Sequence, residues 1–152
     1  KDMRTWDDVL LILMKLSDRV SHSLRENHAV AGVIQVHIRD GELNIREHQR
    51  KMPQPIRITE MLFKTGAELI GEIWDGETPL RSIGIRACEL SGDDECVQLS
   101  FGCDWNYLEK MEKLERDIDG IRERFGKDSV VRCRQLEGEP LGIYSSFGKI
   151  VV

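Results

Sequence analysis

The chain has 152 residues, 32% of them charged, and a formal net charge of −5 at pH 7. No apolar run approaches the roughly 18 residues that a membrane span requires, so we expect no membrane contact. The acidic balance argues against a strongly basic nucleic-acid binder, although residues 91–101 hold three acidic and no basic side chains and account for much of it. The N-terminus is polar and acidic, unlike a signal peptide, and predicts a cytoplasmic protein.

The first third of the chain predicts a helix followed by a strand. Apolar residues recur every three or four positions over residues 5–27, which is typical of an amphipathic helix. Thr5 followed by Asp8 resembles a capping box at its start. Apolar and polar residues then alternate over residues 33–39, which predicts a strand with one buried face. The expected buried side chains are Ile34, Val36 and Ile38, and the expected exposed ones are Gln35, His37 and Arg39.

A hairpin and a second helix are predicted next. Asp40-Gly41 indicates a turn into a second strand, which Pro53 and Pro55 are expected to end. Thr59 is expected to cap a helix that closes at Asp75-Gly76. The alternation in the second strand predicts a solvent face formed by Asn44, Arg46, His48 and Arg50.

The third strand is predicted over residues 80–88. Ile83, Ile85 and Ala87 alternate with Ser82, Gly84 and Arg86, so one face is expected to be buried and the other wet. Gly84 lies on the wet face, where its missing side chain is expected to leave room for a ligand beside Arg81 and Arg86. Arginines on a flat strand surface suit a polyanion such as a nucleic-acid backbone, although an ordinary solvated strand has the same pattern.

These elements predict an α+β fold. A small antiparallel or mixed sheet would carry two helices on one face, leaving the other face open. A third helix follows over about residues 106–125, and Val130-Val131 predicts a short extended piece. We expect two parts, residues 1–101 and a helical extension with tail, residues 102–152. The role of the tail is not predicted.

The sequence shows no catalytic constellation. It has no phosphate-binding loop, no nucleophile elbow and no zinc-protease motif, so no catalytic residue is assigned. The cysteine spacing does not suit zinc, and the acidic triplet at positions 93–95 is typical of a solvated loop, so no metal site is predicted.

Four pieces in order carry a resemblance to a family. They are the opening helix, the strand over residues 33–39, the segment from His48 to Pro53, and Pro79-Leu80-Arg81-Ser82-Ile83-Gly84-Ile85-Arg86. Over residues 6–101 they resemble the little-finger domain, the C-terminal DNA-binding domain of Y-family translesion DNA polymerases of the DNA polymerase IV and UmuC-like group. Residues 117–131 also look like the extension found in Gram-positive and related members.

The resemblance implies that the open sheet face grips the sugar-phosphate backbone of primer-template DNA without reading bases. The DNA-contacting residues that it implies are His37, Arg39, Arg46, His48, Arg50, Arg81 and Arg86. His37 stands where a lysine is usual, and Asp40 where an aromatic residue is usual. The polymerase carboxylates and their Mg²⁺ would belong to a palm domain, so this chain is expected to be a fragment without a cofactor of its own.

Two further partners are expected. Gln98, Leu99 and Phe101 resemble the family's sliding-clamp motif, although the same loop would also suit packing on its own domain. The family's first strand should precede Thr5, so an uncovered sheet edge is expected to recruit the C-terminal tail or a second copy of the chain. The rival to the DNA-gripping hypothesis is a protein-interaction module that recruits the clamp or another partner and does not contact DNA.

Overall fold

The computed structural model describes residues 2–92, 104–132 and 150–151. The chain divides into two compact units, Lys1–Phe101 and Gly102–Val152. No helix in these described stretches is long and apolar enough to cross a membrane.

Helix α1 (Trp6–Glu26) begins at the predicted capping box. The Thr5 hydroxyl oxygen accepts a hydrogen bond from the Asp8 backbone N–H, and the Asp8 carboxylate accepts one from the Thr5 N–H, both at 3.2 Å. These bonds satisfy two donors that helix formation would otherwise leave unpaired. The buried stripe of α1, which includes Val9, Leu13 and Leu24, packs into the core of the first unit.

The first unit contains a three-stranded antiparallel sheet with the strand order β2-β1-β3. Its strands are β1 (Ala29–Asp40), β2 (Ile45–Ile56) and β3 (Leu80–Gly92), and helix α2 (Thr59–Ile73) connects β2 to β3. Both helices pack on the sheet and against each other. The predicted α+β fold, with two helices over a small antiparallel sheet and a further helix towards the C-terminus, is confirmed.

Two predicted boundaries around β2 are wrong. Pro53 and Pro55 do not end the strand, which continues to Ile56. They lie where the register with β1 shifts, and β2 is an edge strand, so their missing N–H groups break no essential ladder. Thr59 does not cap α2 either: it is the first helical residue, fully buried, and the preceding Ile58 is the N-cap.

The outer edge of β3 is bridged at its start by the N-terminal segment. The backbone N–H of Met3 donates to the Leu80 carbonyl at 2.8 Å, and the Leu80 N–H donates to the Met3 carbonyl at 2.9 Å. Of the C-terminal tail the structure describes Ile150–Val151, which pair in parallel with Val130–Val131. For these two described residues the expected pairing with the three-stranded sheet is therefore wrong, and the recruitment of a second copy stays a prediction.

The second unit contains helix α3 (Trp105–Phe125) and the parallel pair β4 (Val130–Val131) and β5 (Ile150–Val151). The Asp104 side chain caps α3 by accepting from the Tyr107 N–H at 3.2 Å, and Gly126 ends it with a positive φ of 103°. The predicted third helix and the predicted extended piece at Val130-Val131 are thus both confirmed.

Candidate nucleic-acid interface

The register of the sheet determines which side chains face away from the helices. Ile34, Val36 and Ile38 of β1 belong to the core beneath α1 and α2. Side chains alternate along a strand, and directly opposed residues of neighbouring strands share a face. The residues that alternate with this buried set therefore form the face of the sheet turned away from the helices, which we call the open face. It contains Gln35, His37 and Arg39 of β1, paired with Arg86, Gly84 and Ser82 of β3.

The open face also carries the carboxylate of Glu47, which is opposite His37 and accepts a hydrogen bond from the Gln35 amide at 3.2 Å, but its arginines form no described ion pair. Within the described residues, no carboxylate lies within ion-pair distance of Arg39 or Arg86. Arg86 donates instead to the amide oxygen of Gln35 at 3.2 Å. The Nε of Arg39 is buried and has no hydrogen-bond partner among the described residues. Both guanidinium groups therefore retain charge and donors for an anion.

Gly84 does not leave the gap that the sequence suggests. A Cβ atom built on Gly84 would lie 2.0 Å from Cε1 of His37 and 2.6 Å from its Nε2. The imidazole of His37, which is directly opposite Gly84, therefore occupies the space above the glycine backbone. The interpretation of Gly84 as an opening for a ligand is wrong, because the cross-strand neighbour fills it.

Arg81 lies where the pairing of β1 with β3 shifts. Arg39 is opposite Ser82 and Asp40 is opposite Leu80, so Arg81 has no directly opposed residue on β1. Its side chain is exposed, and no described carboxylate pairs with it. Arg81 is thus a free cation at the Asp40 end of β3.

The arginines and the histidine of β2 do not lie on the open face, contrary to the prediction. Arg46, His48 and Arg50 are directly opposite Ile38, Val36 and Ile34, the core-facing residues of β1. They therefore project on the side of the sheet that carries α2. Their predicted placement beside Arg86 is wrong. The alternation along β2 is offset by one residue from the predicted one, and an offset of one residue moves every side chain to the other face of the sheet.

Acidic side chains of α2 pair with these β2 residues. Arg50 contacts Glu68 and Glu72 at 2.5 Å each, and the His48 Nε2 lies 2.8 Å from Glu72. The hydrogen bond to Glu68 is the main cause that raises the pKa of Arg50. Arg46 donates to the Ile73 carbonyl at 2.9 Å. We call Arg46, His48, Arg50, Glu68 and Glu72 the α2-side cluster.

One basic residue of the open face, Lys51, was not among the predicted DNA-contacting residues. Lys51 is opposite Val33. It belongs to the odd-numbered residues of β2, which alternate with the predicted solvent face and were therefore not expected on the open face. Its amine lies 3.8 Å from Glu89, and both side chains are largely exposed, so screening by water leaves that pair weak. The alternation of β2 would have identified Lys51 if the odd-numbered residues of the strand had been assigned to the open face.

Two loops at the Asp40 end of β1 are closed by aspartates. The Asp40 carboxylate accepts hydrogen bonds from the Glu42 and Asn44 N–H groups, both at 2.9 Å, and from the Asn44 side chain. The side-chain bond from Asn44 is the main cause that lowers the pKa of Asp40. In the loop after α2, hydrogen bonds from the Thr78 hydroxyl, the Thr78 N–H and the Glu77 N–H lower the pKa of Asp75 to about 2. These turns hold the hairpin and the start of β3 in place.

The predicted clamp residues Gln98, Leu99 and Phe101, and the acidic triplet at positions 93–95, lie outside the described residues. In the part of the chain that the structure describes, no group of three His, Cys, Asp or Glu side chains is arranged to hold a metal ion.

Comparison with known proteins places this arrangement in a family. Residues 1–101 match the C-terminal domain of the impB/mucB/samB family. The chain is 30% identical over 132 residues to DNA polymerase IV of Acetivibrio thermocellus, an alignment that covers 87% of this chain and 33% of the relative. It is 28% identical over 132 residues to DNA polymerase IV 2 of Bacillus subtilis, covering 85% of this chain and 31% of the relative.

A third relative, DNA polymerase IV of Clostridium kluyveri, is 27% identical over 144 residues, with 89% of this chain and 35% of the relative aligned. The chain thus spans about a third of the length of the curated relatives that it matches. The resemblance to Y-family polymerases of the DNA polymerase IV group is confirmed, and the chain belongs to the impB/mucB/samB family, whose C-terminal domain residues 1–101 form.

Proposed function

We propose that residues 1–101 grip duplex DNA by its sugar-phosphate backbone, as part of a DNA polymerase that copies damaged templates. The observation that carries the proposal is the open face, where Arg39 and Arg86 flank His37 and no described carboxylate neutralises either arginine. A flat strand surface with free guanidinium groups suits phosphate oxygens spaced along a duplex, and it needs no base contact.

The relatives support the wider role. They are named DNA polymerase IV, and this chain aligns with about a third of each. We therefore propose that polymerase chemistry, with its metal ions, belongs to other parts of the parent protein, and that this domain supplies grip on the primer-template. A cytoplasmic location fits such a role.

The residues proposed here to contact DNA are not the same set that the sequence predicts. His37, Arg39, Arg81 and Arg86 remain proposed DNA ligands, and Lys51 joins them. Arg46, His48 and Arg50 are removed from the interface, because Glu68 and Glu72 pair with His48 and Arg50 and the register turns all three residues away from the open face.

Two charge-reversal variants, one on the sheet and one on a helix, test the proposal. In the variant Arg81→Glu/Arg86→Glu, both changed side chains belong to β3 and are exposed. We expect it to weaken duplex binding by tenfold or more at about 50 mM salt, and to flatten the slope of log affinity against log salt by about 2. The matched control is Lys15→Glu/Arg19→Glu, which makes the same charge change on the exposed side of α1.

The control is expected to bind nearly as the wild type does. Equal losses in the two variants would mean that net charge alone governs binding and that the open face has no special role. Unchanged affinity in the Arg81→Glu/Arg86→Glu variant would remove the DNA-gripping assignment and favour the protein-interaction hypothesis.

Partner recruitment by Gln98, Leu99 and Phe101 remains a second proposed role. A glutamine followed by two apolar anchors is the composition of a peptide that enters an apolar pocket in an extended form. Both roles could belong to one polymerase, since DNA would lie on the sheet and the clamp would bind a separate segment.

A further inference from the structure

We infer that Glu68 and Glu72 of α2 determine which side of the domain DNA can use, by occupying Arg50 and His48 so that phosphate is excluded from them. The inference rests on the proposed function. It concerns why a domain with basic residues both on the open face and in the α2-side cluster would bind DNA only through the open face. The acidic pair would act as a specificity device that confines DNA to the open face.

The geometry of Arg50 is the first argument. Its two terminal nitrogens each contact a different carboxylate, Nη1 that of Glu68 and Nη2 that of Glu72, both at 2.5 Å. Binding a phosphate through the guanidinium fork needs these same two nitrogens. The Nε2 of His48 is likewise taken by Glu72 at 2.8 Å.

The charge of the cluster is the second argument. Arg46 and Arg50 contribute two positive charges and Glu68 and Glu72 two negative ones, so the arginines and glutamates sum to zero. A phosphate approaching the α2-side cluster would meet carboxylate oxygens next to Arg50 and His48. On the open face, by contrast, Arg39 and Arg86 have no described carboxylate partner.

Exposure is the third argument. The side chain of Arg50 is 36% exposed and that of His48 is 44% exposed. DNA could therefore reach both groups, and burial does not exclude it. The two closely bound glutamates are the feature that distinguishes Arg50 and His48 from Arg39 and Arg86 of the open face.

The test replaces the carboxylates by amides of the same shape, in Glu68→Gln/Glu72→Gln, and measures duplex binding by fluorescence anisotropy at about pH 8, where an ordinary histidine is neutral. We expect the affinity to rise about threefold to tenfold at about 50 mM salt, and the salt slope to steepen by about 1, for one new phosphate contact. Adding Arg50→Gln should abolish the gain.

Two comparisons keep the test specific. Glu109→Gln/Glu123→Gln makes the same change in net charge at two exposed carboxylates of α3 that have no described ion pair, and should give a much smaller gain. Thermal unfolding of each variant shows whether the fold is retained. A gain that survives Arg50→Gln, that equals the control, or that is absent would overturn the inference.

The outcomes separate this inference from the proposed function. If the wild type binds DNA through Arg86 but the glutamine variant gains nothing, only the inference fails. If the wild type does not bind and the glutamine variant binds through Arg50, the proposed function fails while the inference is supported. Absence of binding by both proteins would overturn both.

Discussion

The imidazole of His37 covers the backbone of Gly84 and occupies the place where a side chain at position 84 would stand. This cross-strand relationship couples the two positions. It gives the open face a continuous surface between Arg39 and Arg86, where the sequence alone suggested an opening.

Gly84→Ala is expected to destabilise the wild type by about 1 kcal/mol, because the new methyl group must displace the His37 ring. In a His37→Ala background the same change should be neutral or slightly stabilising, since glycine is unfavourable in a strand interior. Chemical denaturation of the two single variants and the double variant measures the coupling. The same destabilisation in both backgrounds would show that the ring does not occupy this space.

Asp75 should contribute to acid sensitivity. Its pKa in the folded protein is lowered to about 2 from the ordinary 3.8, so its contribution to stability is present above about pH 4. That contribution is lost as the pH falls from about 4 towards 2, when the carboxylate is protonated. Thr78→Val removes the largest cause of the shift and should raise the pKa of Asp75 towards 3.8, measured by carboxyl carbon NMR. An unchanged pKa would mean that the Thr78 hydroxyl bond is unimportant.

A synthetic peptide spanning residues 95–105 is expected to compete with a labelled clamp-binding peptide for a bacterial sliding clamp. The anchors would be Leu99 and Phe101, so replacing both with Ala should abolish competition. Competition that persists in the Ala peptide, or none at high micromolar concentration of the original, would favour a loop that packs on its own domain.

The edge of β3 is expected to support a dimer. Within the described residues, Met3 is the sole neighbour on that edge, and an unpaired strand edge tends to recruit another strand. Light scattering should show mass rising with concentration. Deleting residues 138–152 should leave the association unchanged, because the described part of that segment, β5, pairs with β4. A monomer at every concentration would contradict this expectation.

Local patterns predicted the elements well. The capping box at Thr5 and the alternation around Val36 depend on nearest neighbours in sequence, and the structure retains both. The prediction failed where long-range pairing decides. On β2 the alternation predicted a solvent face with Arg46 and Arg50, yet the pairing with β1 turns both towards α2, and the alternating residue Ile45 is itself exposed.

The reason for that failure is physical. At a sheet edge, long basic side chains can extend past the helix layer and keep their charged ends in water. A basic residue of an edge strand can therefore lie on the face that carries the helices, and its polarity does not show which face of the sheet it occupies. The partners Glu68 and Glu72 come from another element, which strand alternation cannot anticipate. The filling of Gly84 by His37 likewise follows from register and not from the sequence of either strand.

A backbone NMR titration of the chain with a short DNA duplex at low salt tests directly whether the open face binds DNA. We expect the shift changes to concentrate on Gln35, His37, Gly84 and Arg86, with little change on the exposed residues of α1 and on Glu68 and Glu72. Changes centred on α2 and β2 at Arg50, or spread evenly over the domain, would contradict binding through the open face.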